Sequence, residues 1–418
     1  MSFAFLRFLI PASALMLVAG CGGGGATVGG GGGGGNNSPT TVTFTFQAGT
    51  PTAVATKIGS GSFTAQTLSS STVSLSIPSG TTTFAIAYVC GTGEFVYELS
   101  IADGTSFTTF CPANFSFPPT ATLTGSLDAS AISGAYYLNV FSWGSDTGMV
   151  ANVPGLVSNF SYAAPAGSDR VEVLAYTKAN TLVAAKDFPS QTVPGALNGG
   201  NTVVFSPADE PASEPITYNS VPPGYGVPST LVGFLVAGSG IFGVTTSAQS
   251  QYPVLPAGAV ESGDMYRLFA TAFNSSGSGE GVGAEVTLAA AGPASFTFPA
   301  PWVYGGPTPA ATPTFNFEYA GFSGKTGVIH TVNLTWLNGS NADVDFELVA
   351  TANYLNGSTT LAVPDLSGVS GFPSGPSSRE VLWWQAAITQ GNEGVLQSTP
   401  PANIQDSLVE NSGSYLVP

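Results

Sequence analysis

A short motif occurs four times in this chain and constrains its fold more than any other feature. It is a Pro-x-Gly step followed by a segment in which apolar and polar residues alternate: Pro78-Ser79-Gly80, Pro165-Ala166-Gly167, Pro256-Ala257-Gly258 and Pro373-Ser374-Gly375, leading into 83–89, 170–176, 265–270 and 379–384. Pro presets the φ of a turn and Gly tolerates a positive φ, so each step predicts a tight turn before a strand. Successive steps lie 87, 91 and 117 residues apart, which predicts β modules of roughly 90 residues.

A second recurring segment closes the first three modules: Phe115-Ser116-Phe117-Pro118, Val204-Phe205-Ser206-Pro207 and Phe296-Thr297-Phe298-Pro299. The two patterns together divide the chain. They predict modules over 41–120, 121–210, 211–305 and 306–418, the last with a C-terminal segment. The residues before them predict a signal peptide over 1–20 and a Gly-rich tether over 21–40.

Composition favours an all-β fold. The chain holds 54 Gly and 31 Pro, residues that are costly or disruptive inside helices. Its 43% hydrophobic residues can form several small cores, whereas only 8% of its residues are charged. The net charge is −16 with only 8 Lys and Arg, so there is no basic stripe for phosphates, and nucleic acid is excluded as a partner. Electrostatic docking on anionic lipid is disfavoured for the same reason.

The N-terminus predicts export. Arg7 precedes an apolar run over 8–19 that suits a signal peptide and is too short to span a bilayer. The run ends Leu17-Val18-Ala19-Gly20-Cys21, which resembles the bacterial lipobox. The resemblance implies that the chain is cut before Cys21 and that lipid is attached to this cysteine. Two or three acyl chains, for example palmitate, would then anchor the protein to a membrane. The alternative is an ordinary signal peptide with a chance cysteine near its cleavage site.

Residues 22–37 are nearly all Gly and predict a flexible tether rather than a phosphate-binding loop. From Cys21 to Pro39 the tether has a root-mean-square reach of about 24 Å. Residue 22 is Gly and not the Asp that favours inner-membrane retention in enteric lipoproteins. We therefore expect an outer-membrane location in the cell envelope, periplasmic or surface-facing.

Cys90 and Cys111 remain as an even pair after lipidation of Cys21. In an oxidising compartment such a pair predicts a disulfide. The alternative, a metal or catalytic pair, lacks a nearby His. We expect no cofactor.

Two module families share features with these strands. Tyr266, Leu268, Ala270, Ala272, Asn274 and Gly277 resemble a late strand of fibronectin type III domains, although the Pro-x-Gly step lies a few residues early. The segment 77–81 equally resembles the turn of prealbumin-like modules related to carboxypeptidase regulatory domains. Both resemblances imply tandem antiparallel β-sandwiches of immunoglobulin-like type, with adhesive, spacing or binding roles.

The residue types present in the chain exclude most kinds of catalytic site. His330 is the one histidine, so multi-histidine metal sites are impossible, and no G-x-S-x-G elbow presents a serine to it. It lies in an alternating segment, 328–334, on the face opposite Ile329 and Thr331. We interpret it as an ordinary strand residue and predict no catalytic residues.

Asp343, Asp345 and Glu347 alternate with apolar residues, so all three acids share one strand face. They are weak candidates for Ca²⁺, which prefers 6 to 8 oxygen ligands. Acids at this spacing more often solvate the outer side of a sheet.

Trp383 and Trp384 are adjacent in a predicted strand, so one faces the core and the other faces outward. An outward Trp suits a sugar or a partner protein, unless another segment covers it. Two hypotheses follow: a non-enzymatic envelope lipoprotein that binds a protein or glycan partner, and a secreted carbohydrate-active hydrolase or glycan-binding module that uses the strand-face carboxylates.

Overall fold

The computed structural model describes residues 38–47, 49–68, 70–111, 120–143, 148–153, 155–236, 240–247, 250–323, 325–337, 343–391 and 405–418. This part of the chain is almost entirely β-structure arranged in several sheets, which confirms the all-β prediction. The lipobox and nearly all of the tether lie outside the described residues. No helix within these ranges is long and apolar enough to cross a membrane.

The first repeat contains seven strands in two sheets. The strands are β1 (Thr40–Gln47), β2 (Ala53–Ile58), β3 (Thr64–Gln66), β4 (Thr72–Ile77), β5 (Thr83–Cys90), β6 (Gly93–Ser100) and β7 (Ser106–Phe110). The small sheet has the order β4-β1-β7, and β7 runs parallel to β1. The large sheet has the order β3-β2-β5-β6.

The second and third repeats have the same strand order as the first. Repeat 2 comprises β8 (Thr120–Asp128), β9 (Tyr137–Trp143), β10 (Gly148–Val153), β11 (Val157–Pro165), β12 (Gly167–Tyr176), β13 (Leu182–Val193), β14 (Gly195–Ala196) and β15 (Val203–Val204). Repeat 3 comprises β16 (Ala212–Asn219), β17 (Ser229–Val236), β18 (Gly240–Ser247), β19 (Gln251–Val254), β20 (Met265–Phe273), β21 (Gly281–Leu288) and β22 (Ala294–Thr297). The small sheets are β11-β8-β14 and β19-β16-β22, and the large sheets are β10-β9-β12-β13 and β18-β17-β20-β21.

The fourth repeat follows the same plan with a smaller second sheet. Its strands are β23 (Thr314–Asn316), β24 (Val328–Leu337), β25 (Asp343–Thr351), β26 (Thr360–Ala362), β27 (Val381–Gln390) and β28 (Gln405–Leu416), and a short helix, α1 (Ala352–Leu355), follows β25. Single 3₁₀ turns occur at Ile101–Asp103, Leu197–Gly200, Pro207–Asp209, Ala257–Ala259 and Ala320–Phe322.

The Pro-x-Gly steps occupy one equivalent place in all four repeats. Each lies where the fourth strand leads into the fifth and the chain crosses from the small sheet to the large one, and in repeat 2 Pro165 ends β11 and Gly167 begins β12. Gly80 and Gly167 have φ values of 86° and 129°, which a side chain would disfavour. The fourth step differs slightly from expectation: β27 begins at Val381 and not at residue 379, because Arg379 has a φ of 70° and cannot join the strand.

Three of the large sheets are joined edge to edge into one sheet of 12 strands, an arrangement that the sequence did not predict. The edge strand β21 pairs antiparallel with β28, with Val282 opposite Val409. On the other side, β25 pairs in parallel with β6, with Leu348 opposite Val96. These pairings satisfy the backbone hydrogen-bonding groups of the edge strands, which would otherwise be free to pair with another chain and aggregate. The predicted boundaries between modules stay a prediction.

The long sheet has a different core on each face. One face packs on the main hydrophobic core, which includes Phe234, Tyr266, Phe315 and Trp336. In repeat 1 the opposite face packs on the small sheet through Phe44, Tyr88 and their neighbours. Repeat 2 is a separate sandwich with its own core, and it contacts the main core through Leu174, Tyr176 and Leu182.

A disulfide joins Cys90 and Cys111, as expected from the sequence, with their Cα atoms 5.4 Å apart. Cys90 ends β5 in the large sheet and Cys111 follows β7 in the small sheet, so the bond connects the two layers of repeat 1.

Loss of this bond is expected to destabilise repeat 1. The disulfide closes a loop of 21 residues and so restricts the conformations of the unfolded chain. This restriction raises the free energy of unfolding by about 3 kcal/mol. The double substitution Cys90→Ala/Cys111→Ala should therefore lower the free energy of unfolding of that repeat by about this amount, as measured by urea denaturation. An unchanged unfolding midpoint would show that the bond does not stabilise the fold.

Candidate functional site

The fourth repeat exposes part of the long sheet on the side opposite the main core. In β27, Leu382, Trp384 and Ala386 point into the core, so the alternation places Trp383 and Gln385 on the other side. We call this side the outer face. It is defined by residues of four neighbouring strands: Asp345 and Glu347 on β25, Asn333 and Thr335 on β24, Trp383 and Gln385 on β27, and Glu410, Ser412 and Ser414 on β28.

Trp383 is the aromatic residue at the centre of this site. It is half-buried and lies between Thr335 on β24 and Ser414 on β28. The adjacent Trp384 is only 7% exposed and packs edge-to-face against Tyr304 and Phe315, with ring centroids 5.8 and 5.9 Å away. Trp383 therefore keeps part of its ring accessible, whereas Trp384 is a core residue.

A row of polar side chains crosses the sheet beside Trp383. The strand register places Glu347, Asn333, Gln385 and Ser412 side by side on four successive strands. The Asn333 Nδ2 lies 3.5 Å from Oε1 of Gln385, and Gln385 donates from Nε2 to Oε2 of Glu410 over 2.6 Å. This arrangement sets amide and carboxyl groups in fixed positions next to an aromatic ring.

Two carboxyl groups of the outer face are buried. Glu347 is 8% exposed, and burial raises its pKa to about 8. Its Oε1 has no hydrogen-bond partner among the described residues. Burial also raises the pKa of Glu410, and the hydrogen bond from Gln385 opposes that shift. At neutral pH Glu347 is therefore mainly protonated and can donate a hydrogen bond.

The three acids considered for Ca²⁺ do share one strand face, but their environments differ. Asp343 and Asp345 are exposed, and Asp345 accepts a hydrogen bond of 3.0 Å from Thr335. Glu347 is buried, contrary to the expectation that strand-face acids here are solvated, because the adjacent strands and their side chains enclose it. Within the described ranges no three His, Cys, Asp or Glu residues are grouped so as to hold a metal ion.

His330 faces the main core, on the side of β24 opposite Ile329 and Thr331. It is 8% exposed and packs edge-to-face against Phe317, with centroids 5.0 Å apart. Burial lowers its pKa to about 4. A neutral imidazole inside the core, away from the outer face, supports the interpretation of a structural residue.

The sequence indicated Trp383 and Glu347 but not the residues between them. Asn333, Gln385 and Glu410 are each ordinary polar residues in strand patterns, and they become neighbours only through the register of β24, β27 and β28. The alternation of Asn333 with Leu334 and of Gln385 with Trp384 is the one local signal that places these amides on the same side as Trp383.

Comparison with known proteins gives no family for this chain. No protein-family model matches it, and no curated protein matches it. Among solved structures, a proposed adhesin from Bacteroides ovatus matches with a TM-score of 0.17 and 8% identity over 41% of this chain and 82% of its own. A proposed carbohydrate-binding protein from Bacteroides uniformis has a TM-score of 0.15 and 8% identity, over 72% of this chain and 100% of its own.

A leucine-rich repeat protein from Bacteroides thetaiotaomicron has a TM-score of 0.14 and 13% identity, and the match covers 40% of this chain and only 26% of that protein. Similarities this low carry no argument about function.

Proposed function

We propose that this protein is a non-enzymatic, lipid-anchored protein of the bacterial cell envelope that binds a glycan on the outer face of its fourth repeat. The observation that carries the proposal is the partly accessible ring of Trp383 beside the amides of Asn333 and Gln385. The membrane anchor rests on the lipobox sequence alone.

The outer face has the chemistry that sugar binding requires. A sugar ring has an apolar face of C–H groups, which can stack on an indole, and hydroxyl groups around its edge, which need hydrogen-bond partners. Binding sites commonly combine aromatic surface with a few fixed polar groups. Here the indole, two amides, the protonated Glu347 and the hydroxyls of Ser412 and Ser414 lie on adjacent strands. These strands are held by a continuous sheet, so the site is preorganised.

The proposal predicts that Trp383→Ala weakens glycan binding at least ten-fold, equivalent to about 1.4 kcal/mol. The measurement is affinity electrophoresis of the purified protein through gels that contain a panel of envelope and host polysaccharides. Wild-type protein should be retarded by at least one polysaccharide, and Trp383→Ala should migrate freely.

Tyr136→Ala is the matched control. Tyr136 is also an exposed aromatic residue, at 58%, but it lies in repeat 2, whose sheets are separate from the long sheet. The Tyr136→Ala protein should be retarded like wild type. If no polysaccharide retards the wild-type protein while a protein ligand binds it in a Trp383-dependent manner, the site recognises a polypeptide and the glycan proposal is wrong.

The non-enzymatic part has its own test. A hydrolase that uses the strand-face carboxylates would release reducing ends from a bound polysaccharide and would lose that activity in Asp345→Asn. We expect no release by the wild-type protein, and Asp345-dependent hydrolysis would overturn this part of the proposal.

The anchor predicts that Cys21→Ser releases the protein from membranes. Without the thiol no thioether to lipid can form, and the acidic chain offers no electrostatic attachment to anionic lipid. Membranes washed at high salt should retain the wild-type protein and lose the variant, which should still contain the Cys90–Cys111 disulfide. A variant that sediments with washed membranes would contradict lipid anchoring.

A further inference from the structure

A pocket opens on the other side of the fourth repeat, away from the outer face. It is a small cleft with a cavity volume of about 30 Å³, and it lies where β6, β24 and β25 meet the loops over 363–367 and 373–376. The register brings Glu94, Phe346 and Leu334 side by side at its base. This volume holds one or two groups of the size of a water molecule, such as an ammonium head whose alkyl chain stays outside the cleft.

Glu94 is a buried carboxyl group with no compensating partner. It is 4% exposed, lines the pocket, and makes no hydrogen bond or ion pair with the described residues. On the same strand, Glu98 is paired with Lys57 over 2.5 Å, so that lysine is already engaged. A carboxyl group in such a place normally has a partner, because burying it without one is costly.

A second acid faces the same space. Asp365 lines the pocket, and hydrogen bonds from the hydroxyl and backbone N–H of Ser367, at 2.6 and 3.0 Å, hold its pKa below the usual value. Burial, together with the charge of Asp365, raises the pKa of Glu94 to about 7. No Lys, Arg or His is among the residues that line this pocket.

Aromatic and apolar surfaces complete the pocket. Trp336 and Phe346 line it and are 3% and 4% exposed, and Pro364, Pro373 and Pro376 form part of its rim. Aromatic rings next to carboxylates attract organic cations through charge and cation–π interactions. An ammonium has three donors that can reach acids on separate elements, whereas a guanidinium favours one carboxylate in its plane.

We propose that this pocket binds a primary alkylammonium group, the chemistry presented by a lysine side chain or a free polyamine, with Glu94 and Asp365 as its counter-charges and Trp336 and Phe346 as its apolar walls. This site is independent of the glycan site, because the two lie on opposite faces of the sheet and share no residue.

The test is isothermal titration calorimetry of the full folded chain with Nα-acetyl-lysine amide, its uncharged analogue Nα-acetyl-norleucine amide, and putrescine. The lysine amide should bind at least ten-fold more tightly than the norleucine amide. Its binding should strengthen from pH 6 to pH 8, because Glu94 becomes ionised over that interval. Tighter binding of the lysine amide than of putrescine assigns a polypeptide side chain as the source, and the reverse order assigns a free polyamine.

Glu94→Gln should weaken binding of the lysine amide at least ten-fold and remove its pH dependence, and Asp365→Asn should weaken it several-fold. Glu318→Gln changes an exposed acid outside the pocket and should have no effect. Equal affinity for the lysine and norleucine amides, or wild-type affinity in Glu94→Gln, would overturn the proposal. Thermal unfolding of each variant checks that it is folded, and Glu94→Gln should be at least as stable as wild type because it no longer buries an ionisable group.

Discussion

Replacing Arg170 with Met is expected to destabilise the contact between repeats 2 and 3 by about 3 to 5 kcal/mol. Arg170 lies on β12 and donates to Asp187 over 2.9 Å and to Asp264 over 2.7 Å, and it pairs with Glu172 at 3.1 Å. The carboxylates of Glu172, Asp187 and Asp264 are at most 1% exposed, and all three pair with this guanidinium. Asp264 also accepts a hydrogen bond of 2.7 Å from the backbone N–H of Glu261. Burial already raises the pKa of Asp187 even with Arg170 present.

The measurement is urea denaturation followed by tryptophan fluorescence, with Lys186→Met as the control. Lys186 also pairs with an acid, Asp209, at 2.7 Å, but its side chain is 28% exposed, so its loss should cost less than about 1 kcal/mol. The destabilisation of Arg170→Met should diminish at low pH, where Asp187, whose pKa is raised by burial, becomes protonated. If both variants unfold at the same urea concentration, the buried cluster does not hold the repeats together.

Glu347→Gln is expected to stabilise the protein at and above neutral pH. The folded-state pKa of Glu347, about 8, lies above its ordinary value of 4.5, so the folded state keeps a proton that the unfolded state releases. The wild-type protein is therefore most stable with respect to this group below pH 4.5 and loses stability as the pH rises through 8. Between pH values below 4.5 and pH 7, Glu347 lowers the free energy of unfolding by on the order of 3 kcal/mol.

Melting temperatures of wild type and Glu347→Gln between pH 4 and 9 test this expectation. The two should coincide near pH 4 and diverge as pH rises, with the variant higher. Asp345→Asn, an exposed acid on the same strand face, should show no such divergence. A Glu347→Gln variant that is less stable than wild type at pH 8 would show that the carboxylate is ionised and stabilised by a partner.

Local patterns in the sequence were enough to predict the all-β class and several strands with the turns that precede them. The period-two alternation at 83–89 and 328–334 and the Pro-x-Gly steps depend on residues a few positions apart, and the structure has strands and sheet crossings at those places. The Cys90–Cys111 bond was predicted from the count of cysteines, on the expectation that the chain is exported. The choice between fibronectin type III and prealbumin-like modules stays a prediction, as does the lipobox.

Long-range pairing could not be predicted in the same way. The junction of β25 with β6 joins residues about 250 positions apart, such as Leu348 and Val96, and neither strand carries a residue type that specifies the other. Likewise Arg170 and Asp264 lie 94 positions apart. The polar row beside Trp383 and the pocket at Glu94 both depend on such pairings, so single-strand patterns could show their members but not their assembly.

The most direct test of the glycan site is oxidative footprinting of tryptophan with and without the bound polysaccharide, read by mass spectrometry. Trp383 is half-buried and should be oxidised in the free protein, whereas Trp302, Trp336 and Trp384 are at most 7% exposed and should react slowly in both states. We predict that saturating polysaccharide protects Trp383 at least several-fold. Unchanged oxidation of Trp383 in the saturated complex would contradict the assignment of the outer face as the glycan-binding site.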